Sequence, residues 1–191
     1  MPVSVIGRNL NLGYAGKVSR TPYNKINARM VKSILDGNSA ETQPIIPFGS
    51  AVVTNTDNTY SKFGASGSGV SASTMANFAG IAVSEVKQGM TYGYGANTTT
   101  GSYEPGRSCD VLQMGTTTVI IQSGTPVANG QLGITTVAGT VLAVGDFTAE
   151  TAGTATDGAT VIAVTGAKFT SGKIDSATGI AEIVLLTQLN A

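Results

Sequence analysis

At 191 residues the chain is long enough for one compact domain with a sizeable core and an extended terminal segment, and too short for two full domains. It has no histidine, which removes the commonest general base and the commonest transition-metal ligand together, so an enzyme, a metal site or a bound cofactor is not expected. The formal charge of zero hides two opposite parts: residues 1–35 hold six of the eleven cations and none of the eleven anions, giving +6 there and −6 on the rest.

The first segment, residues 1–44, reads as a basic N-terminal arm. A lead rich in Gly and Asn precedes a stretch, residues 19–37, that fits two conformations. As a helix it starts at Thr21 with Pro22 in its first turn, aligns Ile26, Met30 and Ile34, and stops at Gly37. As a strand it puts Ile26, Ala28 and Met30 on one side and Asn27, Arg29 and Val31 on the other. Local rules lean towards the helix.

From Ile45 onward the sequence, residues 45–191, turns to β. Few helix formers and many β-branched residues favour strands, with Gly-containing turns between them. Strands are expected over residues 45–53, with Pro47 suited to a strand start, and over 78–86. Further strands are expected over 110–114, 117–122, 131–137, 141–144, 159–164 and 180–186, with turns at Ser123-Gly124, Asn129-Gly130, Ala138-Gly139 and Gly145-Asp146. Residues 55–69 and 91–105 read as loops, and the low-complexity run 148–160 as a surface loop or hairpin tip. Seven or eight short strands without a βαβ rhythm indicate an all-β body, an antiparallel sandwich or barrel.

The start of the chain has no charged region leading into an apolar one, and no run reaches the ~18 apolar residues of a membrane span, so a soluble, unexported protein is expected. Cys109 has no internal partner, which suits a reducing cytosol, and reads as a small buried hydrophobe. Gly67-x-Gly69-x-x-Ala72 has the spacing of a dinucleotide fingerprint but follows a polar loop and reads as a flexible turn. Asn55, Asp57 and Thr59 alternate oxygen ligands without the distal glutamate of a calcium loop. Most carboxylates, Glu104, Asp110, Asp146 and Glu150 among them, read as solvated. Lys17 with Ser19 is a chance neighbour pair before it is a nucleophile and base.

The basic segment instead reads as an attachment surface. Its six charges are spread more thinly than in nucleic-acid arms, and the Asn, Gly and Ile between them suit a protein partner, so nucleic acid is not the expected ligand. The contact candidates are Arg8, Tyr14, Lys17, Arg20, Tyr23, Lys25, Ile26, Arg29, Met30 and Lys32. The loop tyrosines Tyr92, Tyr94 and Tyr103 are candidates for an oligomer contact or for stacking on a sugar.

An ordered series of phrases carries a family resemblance over residues 45–186. It runs Ile46-Pro47-Phe48-Gly49-Ser50-Ala51-Val52, Phe78-Ala79-Gly80-Ile81-Ala82-Val83, Tyr103-x-Pro105-Gly106 and Val111-Leu112-Gln113-Met114-Gly115 with Thr118-Val119. Gly124-Thr125-Pro126-Val127, Gly166-Ala167-Lys168-Phe169 and Gly179-Ile180-Ala181-Glu182-Ile183 follow. The series resembles the structural cement (capsid decoration) proteins of tailed bacteriophages, the Gp24-like group. That resemblance implies a jelly-roll-like β-sandwich on the outer surface of a phage head, made in the bacterial host cytoplasm. Its partners would be the major capsid protein and its own copies, as a dimer or trimer on a symmetry axis. It carries over no catalytic motif. The alternative is a head-fibre or tail-associated β module that binds a receptor or glycan through residues 91–103.

Overall fold

The structure, a computed structural model, describes residues 14–33, 45–84 and 101–187. Among them there is no helix. The strands are β1 (Val18–Met30), β2 (Ile46–Pro47), β3 (Ala51–Thr54), β4 (Tyr60–Lys62), β5 (Phe78–Ala82) and β6 (Ser102–Tyr103). They continue with β7 (Ser108–Ser123), β8 (Gln131–Val137), β9 (Phe147–Thr148), β10 (Gly153–Thr154), β11 (Thr160–Ile174) and β12 (Ile180–Leu185).

The sheet is organised by β7. Along one side β1 pairs with it antiparallel, from Met30 opposite Ser108 to Val18 opposite Thr117, and β9 pairs parallel beyond, at Ile121. Along the other side come β5, opposite Leu112 and Val111, and β12, opposite residues from Gly115 to Ile120. From β12 the pairing passes to β11, then β8, then β9, and so returns to β7. Ten strands belong to this one sheet, and β2 with β6 form a separate ribbon. The separate antiparallel layers of a sandwich or jelly roll are therefore not what the ladders trace: one half of the sheet closes into a ring.

The core lies inside that ring and runs on beneath β3 and β5. Val119, Ile121, Leu132, Ile134, Phe147, Val164, Phe169 and Ile183 form one buried cluster with Val53, Phe63, Phe78, Ile81 and Leu112. Beyond the ring the sheet is buried on both faces. Val52, Ala79, Ala82, Cys109 and Val111 point to its back, where Val31, Ile46, Phe48, Tyr60 and Tyr103 cover them. Each fully buried Val, Leu, Ile or Phe side chain adds about 1.5–3 kcal/mol relative to exposure.

Two glycines keep the alternation in step with these two cores. Side chains alternate faces along a strand, so a one-residue bulge swaps the parity. In β7, Leu112 and Val119 enter the same cluster although one number is even and the other odd, and Gly115, at φ 126°, lies between them. A Cβ there would stand 1.9 Å from the side-chain oxygen of Asn24, which instead accepts the N–H of Thr116 at 3.2 Å. β1 correspondingly slips between Arg20 and Lys25. In β5, Val52 pairs with Gly80 but Val53 pairs with Phe78, leaving Ala79 as the extra residue.

The helix favoured for residues 19–37 is replaced by β1. Val18–Met30 is extended, and it joins the sheet of the body through its pairing with β7; Ile34 and Gly37 lie outside the described residues. The i, i+4 spacing of Ile26 and Met30 satisfies both periodicities, and the long-range pairing with β7 decides between them. The strand expected over 45–53 is broken after Pro47 by a turn at Gly49, and the two strands expected over 110–122 are one. β4 lies inside a segment read as a loop, and β9 and β10 fall in or beside the low-complexity run. No strand forms over 141–144, where Leu142 turns into a small cluster with Ala155, Ala159 and Val161 and Val144 packs against the main core.

Gly80 gives a direct test. At φ 141° its missing Cβ would lie 2.1 Å from the Leu112 carbonyl oxygen, a main-chain atom of β7 that cannot move without breaking pairing. Gly80→Ala is expected to lower unfolding free energy by at least about 2 kcal/mol, read as a shift in the denaturant midpoint.

Candidate functional site

The outer face of β1 is the chief exposed apolar feature that sequence reasoning pointed to. Because its inward face packs on the body, residues of even number from Ile26 turn outward: Ile26 is 44% exposed, Met30 57%, and Ala28 between them is open. Tyr23, in the slipped part of the strand, is 81% exposed. The odd-numbered residues turn inward, with Asn27 and Arg29 half-buried and Val31 buried. The polarity of an ordinary surface strand is thus reversed, with aliphatic side chains towards solvent.

The cations divide. Arg29 reaches over Tyr60, its guanidinium carbon 5.3 Å from the ring centroid, a cation–π contact. Lys32 forms an ion pair with Asp57. These two hold the end of β1 against the hairpin of β3 and β4. Lys17 is exposed and Lys25 half-buried. The main chain at Lys17 is fixed, its N–H donating to the Thr118 hydroxyl at 3.1 Å and its carbonyl accepting the Thr118 N–H at 3.1 Å. The Thr118 hydroxyl donates to the carbonyl of Tyr14 at 2.7 Å, and Tyr14 is partly exposed beside it. Arg20 enters the ladder opposite Thr116. Arg8 lies outside the described residues, as do Tyr92 and Tyr94.

Tyr103 does not offer a contact face. It is buried, its ring meets Phe48 edge-on with centroids 5.0 Å apart, and its hydroxyl donates to the Val83 carbonyl at 2.6 Å. Tyrosine buries its hydroxyl where a partner is at hand, and here the partner is internal. Asp110 and Glu182, expected in solvent with the other carboxylates, are buried, and the Thr170 hydroxyl donates to Glu182 at 2.6 Å. Cys109 is buried, and burial first, then the negative charge of Asp110, push its thiol pKa well up, leaving it neutral.

Asp57, considered above as a calcium ligand, is held by Lys32 and also accepts the hydroxyl of Thr59 at 2.6 Å. The glycine-spaced run at residues 67–72 opens no helix. Among the described residues no group of three His, Cys, Asp or Glu side chains is arranged to hold a metal ion. Among the described residues no helix is present that could cross a membrane.

With an outward apolar strand and a core built by the Gly-rich phrases, comparison with known proteins becomes specific. The family model described as "Structural cement protein (E217 gp24/Pam3 gp6)" matches residues 1–186. The chain belongs to the phage structural cement proteins. In solved structures its fold is similar to a chain of "The capsid of Myoviridae Phage XM1", with a TM-score of 0.59 and 19% identity over 92% of this chain and 91% of that one. No curated protein matches in sequence. As a member of the cement family the chain is a phage structural protein, and β1, inside the matched range, is the part of it whose exposed face is least like a solvated surface.

The Lys32–Asp57 pair predicts a pH dependence. Lys32 first, then the Thr59 hydroxyl, hold the Asp57 carboxyl at about 2, below its ordinary 3.8. A lowered carboxyl pKa favours the folded state above the ordinary value, and that contribution is lost as the pH falls from 3.8 through about 2. The group is largely in solvent, so screening keeps its worth under about 1 kcal/mol. Asp57→Asn should therefore cost that small amount at pH 7 and only a fraction of it at pH 2, measured by urea unfolding at both.

Proposed function

We propose that this chain is a non-enzymatic cement protein of the phage head, sitting on the outer surface of the capsid and tying neighbouring major capsid subunits. The observation that carries the reading is the reversed face of β1: Tyr23, Ile26, Ala28 and Met30 outward, with Lys17 and Lys25 beside them, in a chain of the cement family. In mechanism the apolar stripe is buried against a capsid subunit at about 25 cal/mol per Å², and the lysines select an acidic surround. Exposed ion pairs contribute only about 0–1 kcal/mol each, so burial supplies most of the affinity. The rigidity of β1 helps, because a strand already paired to β7 loses little entropy on docking. Such a role needs no catalytic group, and it belongs to the virion, after synthesis in the host cytoplasm. Self-association on a symmetry axis, as dimer or trimer, would multiply these contacts by avidity. The receptor- or glycan-binding alternative draws less support, because one of its three tyrosines, Tyr103, is committed to the core.

Deleting residues 1–35 would not test this, since it removes β1 and uncovers β7 from Ser108 to Thr117. Point changes on the outward face leave the ladder intact. The variant carrying Tyr23→Ser, Ile26→Ser and Met30→Ser should keep its unfolding midpoint within ordinary surface variation and lose about tenfold or more in apparent affinity for purified heads lacking this protein. Affinity equal to that of the parent chain would refute β1 as the capsid contact.

A further inference from the structure

β1 has one long edge that no described strand fills. β7 lies along the other edge, and among the described residues the single further pairing is a bridge from Val31 to Tyr60 just past the strand's end. The bonds at that end show which main-chain groups face the open edge. The Val31 N–H donates to the Arg107 carbonyl at 2.8 Å and the Val31 carbonyl accepts the Gly106 N–H at 3.0 Å, both on the β7 side. The Lys32 N–H turns the other way, to the Tyr60 carbonyl at 2.8 Å. Both groups of a residue share a side and successive residues alternate, so Asn27 and Arg29 bond towards β7 while Ile26 and Ala28 point their N–H and C=O away from it. The facing strand agrees: the Asp110 carbonyl, opposite Ala28, is turned from β1 and accepts the Val83 N–H at 2.9 Å.

This stretch is fit for pairing. Over residues 26–30 the register with β7 runs without a shift. Exposed sheet edges are commonly blunted by a bulge or a proline, and neither occurs here, Pro22 lying upstream. Ile26 and Met30 stand exposed on the adjoining face.

Charge limits what can fill the edge. Val18–Met30 holds Arg20, Lys25 and Arg29 and no acid. Arg29 is engaged by Tyr60, and Asp110 is buried, which leaves Lys25 next to the open groups and Lys17 further along. The β1 edge of a second copy would set these cations against their own kind, and like charges across a ladder destabilise it. The strands at the ends of the sheet, β4 and β10, have three and two residues, too few to run along this edge.

We propose that the open edge of β1 at residues 26–30 takes an extended segment of a capsid subunit as an added strand, bonded through the main chain of Ile26 and Ala28. The segment carries acidic residues to meet Lys25, and apolar ones at alternate positions to lie beside Ile26 and Met30. In strand addition the main-chain bonds hold the partner and the alternate side chains select it. This rests on the cement reading above and names what the β1 contact holds.

The test separates main chain from side chain. Ala28→Pro removes the N–H that faces the open edge and breaks no bond to β7, whereas Ala28→Val keeps that N–H. Both are titrated onto purified heads lacking this protein, beside the β1 triple variant. Ala28→Pro should bind about tenfold or more weakly than Ala28→Val, each with an unfolding midpoint within ordinary surface variation. In the parent chain, amide hydrogen exchange over residues 25–30, read by mass spectrometry, should slow by about two amides on binding to heads. Lys25→Glu should weaken binding more than Lys25→Gln, with the gap closing in about 0.5 M salt. Equal affinity of the two Ala28 variants, or unchanged exchange on heads, would overturn edge pairing; a weakened triple variant in the same series would still leave the outward face of β1 as a capsid contact. If Ala28→Pro lowers the unfolding midpoint, the exchange of the parent chain decides alone. Lys25→Glu binding as well as Lys25→Gln would sink the acidic partner. Slowed exchange in the free protein together with faster sedimentation would overturn the capsid occupant, since it marks the edge as a joint between copies.

Discussion

The main chain of Ser108–Ser123 is the constraint on which the fold depends. Four strands pair with β7 directly, and β3, β8 and β11 are each one neighbour away. A strand with different neighbours at its two ends has to present its side chains to two cores that demand opposite parity. The structure meets that demand with one residue lacking a side chain, Gly115, and fills the resulting gap from the facing strand with Asn24. The bulge also opens the slip in β1 that leaves Tyr23 outside. The exposed tyrosine of the candidate site and the continuity of the core therefore have a common local cause.

This explains why some of the fold was legible in the sequence and some was not. Residues 131–137 read directly as β8, since alternating side chains lie between Asn129-Gly130 and Ala138-Gly139. β7 read as two strands because the parity change at Gly115 interrupts the alternation that a reader follows. β4 was hidden because Tyr60-Ser61-Lys62 is short and carries one aromatic in a polar run, with its partners on β3 and at Val31 set by the fold. β1 was left between two conformations by a spacing common to both, and only a partner some 80 residues along the chain resolves it.

The candidate site was half legible for the same reason. Tyr23, Ile26 and Met30 were picked out by composition, and they are outward. Charge, by contrast, is a property of the sequence only until the chain folds. Arg29 and Lys32 counted towards a basic surface while Tyr60 and Asp57 were merely later residues; in the folded chain each cation has a partner that composition cannot assign. The oligomer candidate Tyr103 failed likewise, because its partners Phe48 and Val83 flank it only once the β2–β6 ribbon has closed over the back of the sheet.

The charge division of the chain thus takes a different meaning from that of a basic arm on an acidic body. The described basic strand is built into the same sheet as the rest, and its inner cations find partners at the hairpin of β3 and β4, Arg29 the Tyr60 ring and Lys32 the Asp57 carboxylate. What stays outside on β1 is chiefly apolar, Tyr23, Ile26 and Met30, with a basic edge at Lys17 and Lys25. An extended, paired strand resists stretching far better than a flexible tether, since lengthening it means breaking several ladders together. A tether slackens and transmits no force until it is taut, whereas a load applied to any strand paired with β7 reaches the others through the ladders at once. The long central strand with its single filled bulge thus joins the outward face of β1 stiffly to the rest of the sheet.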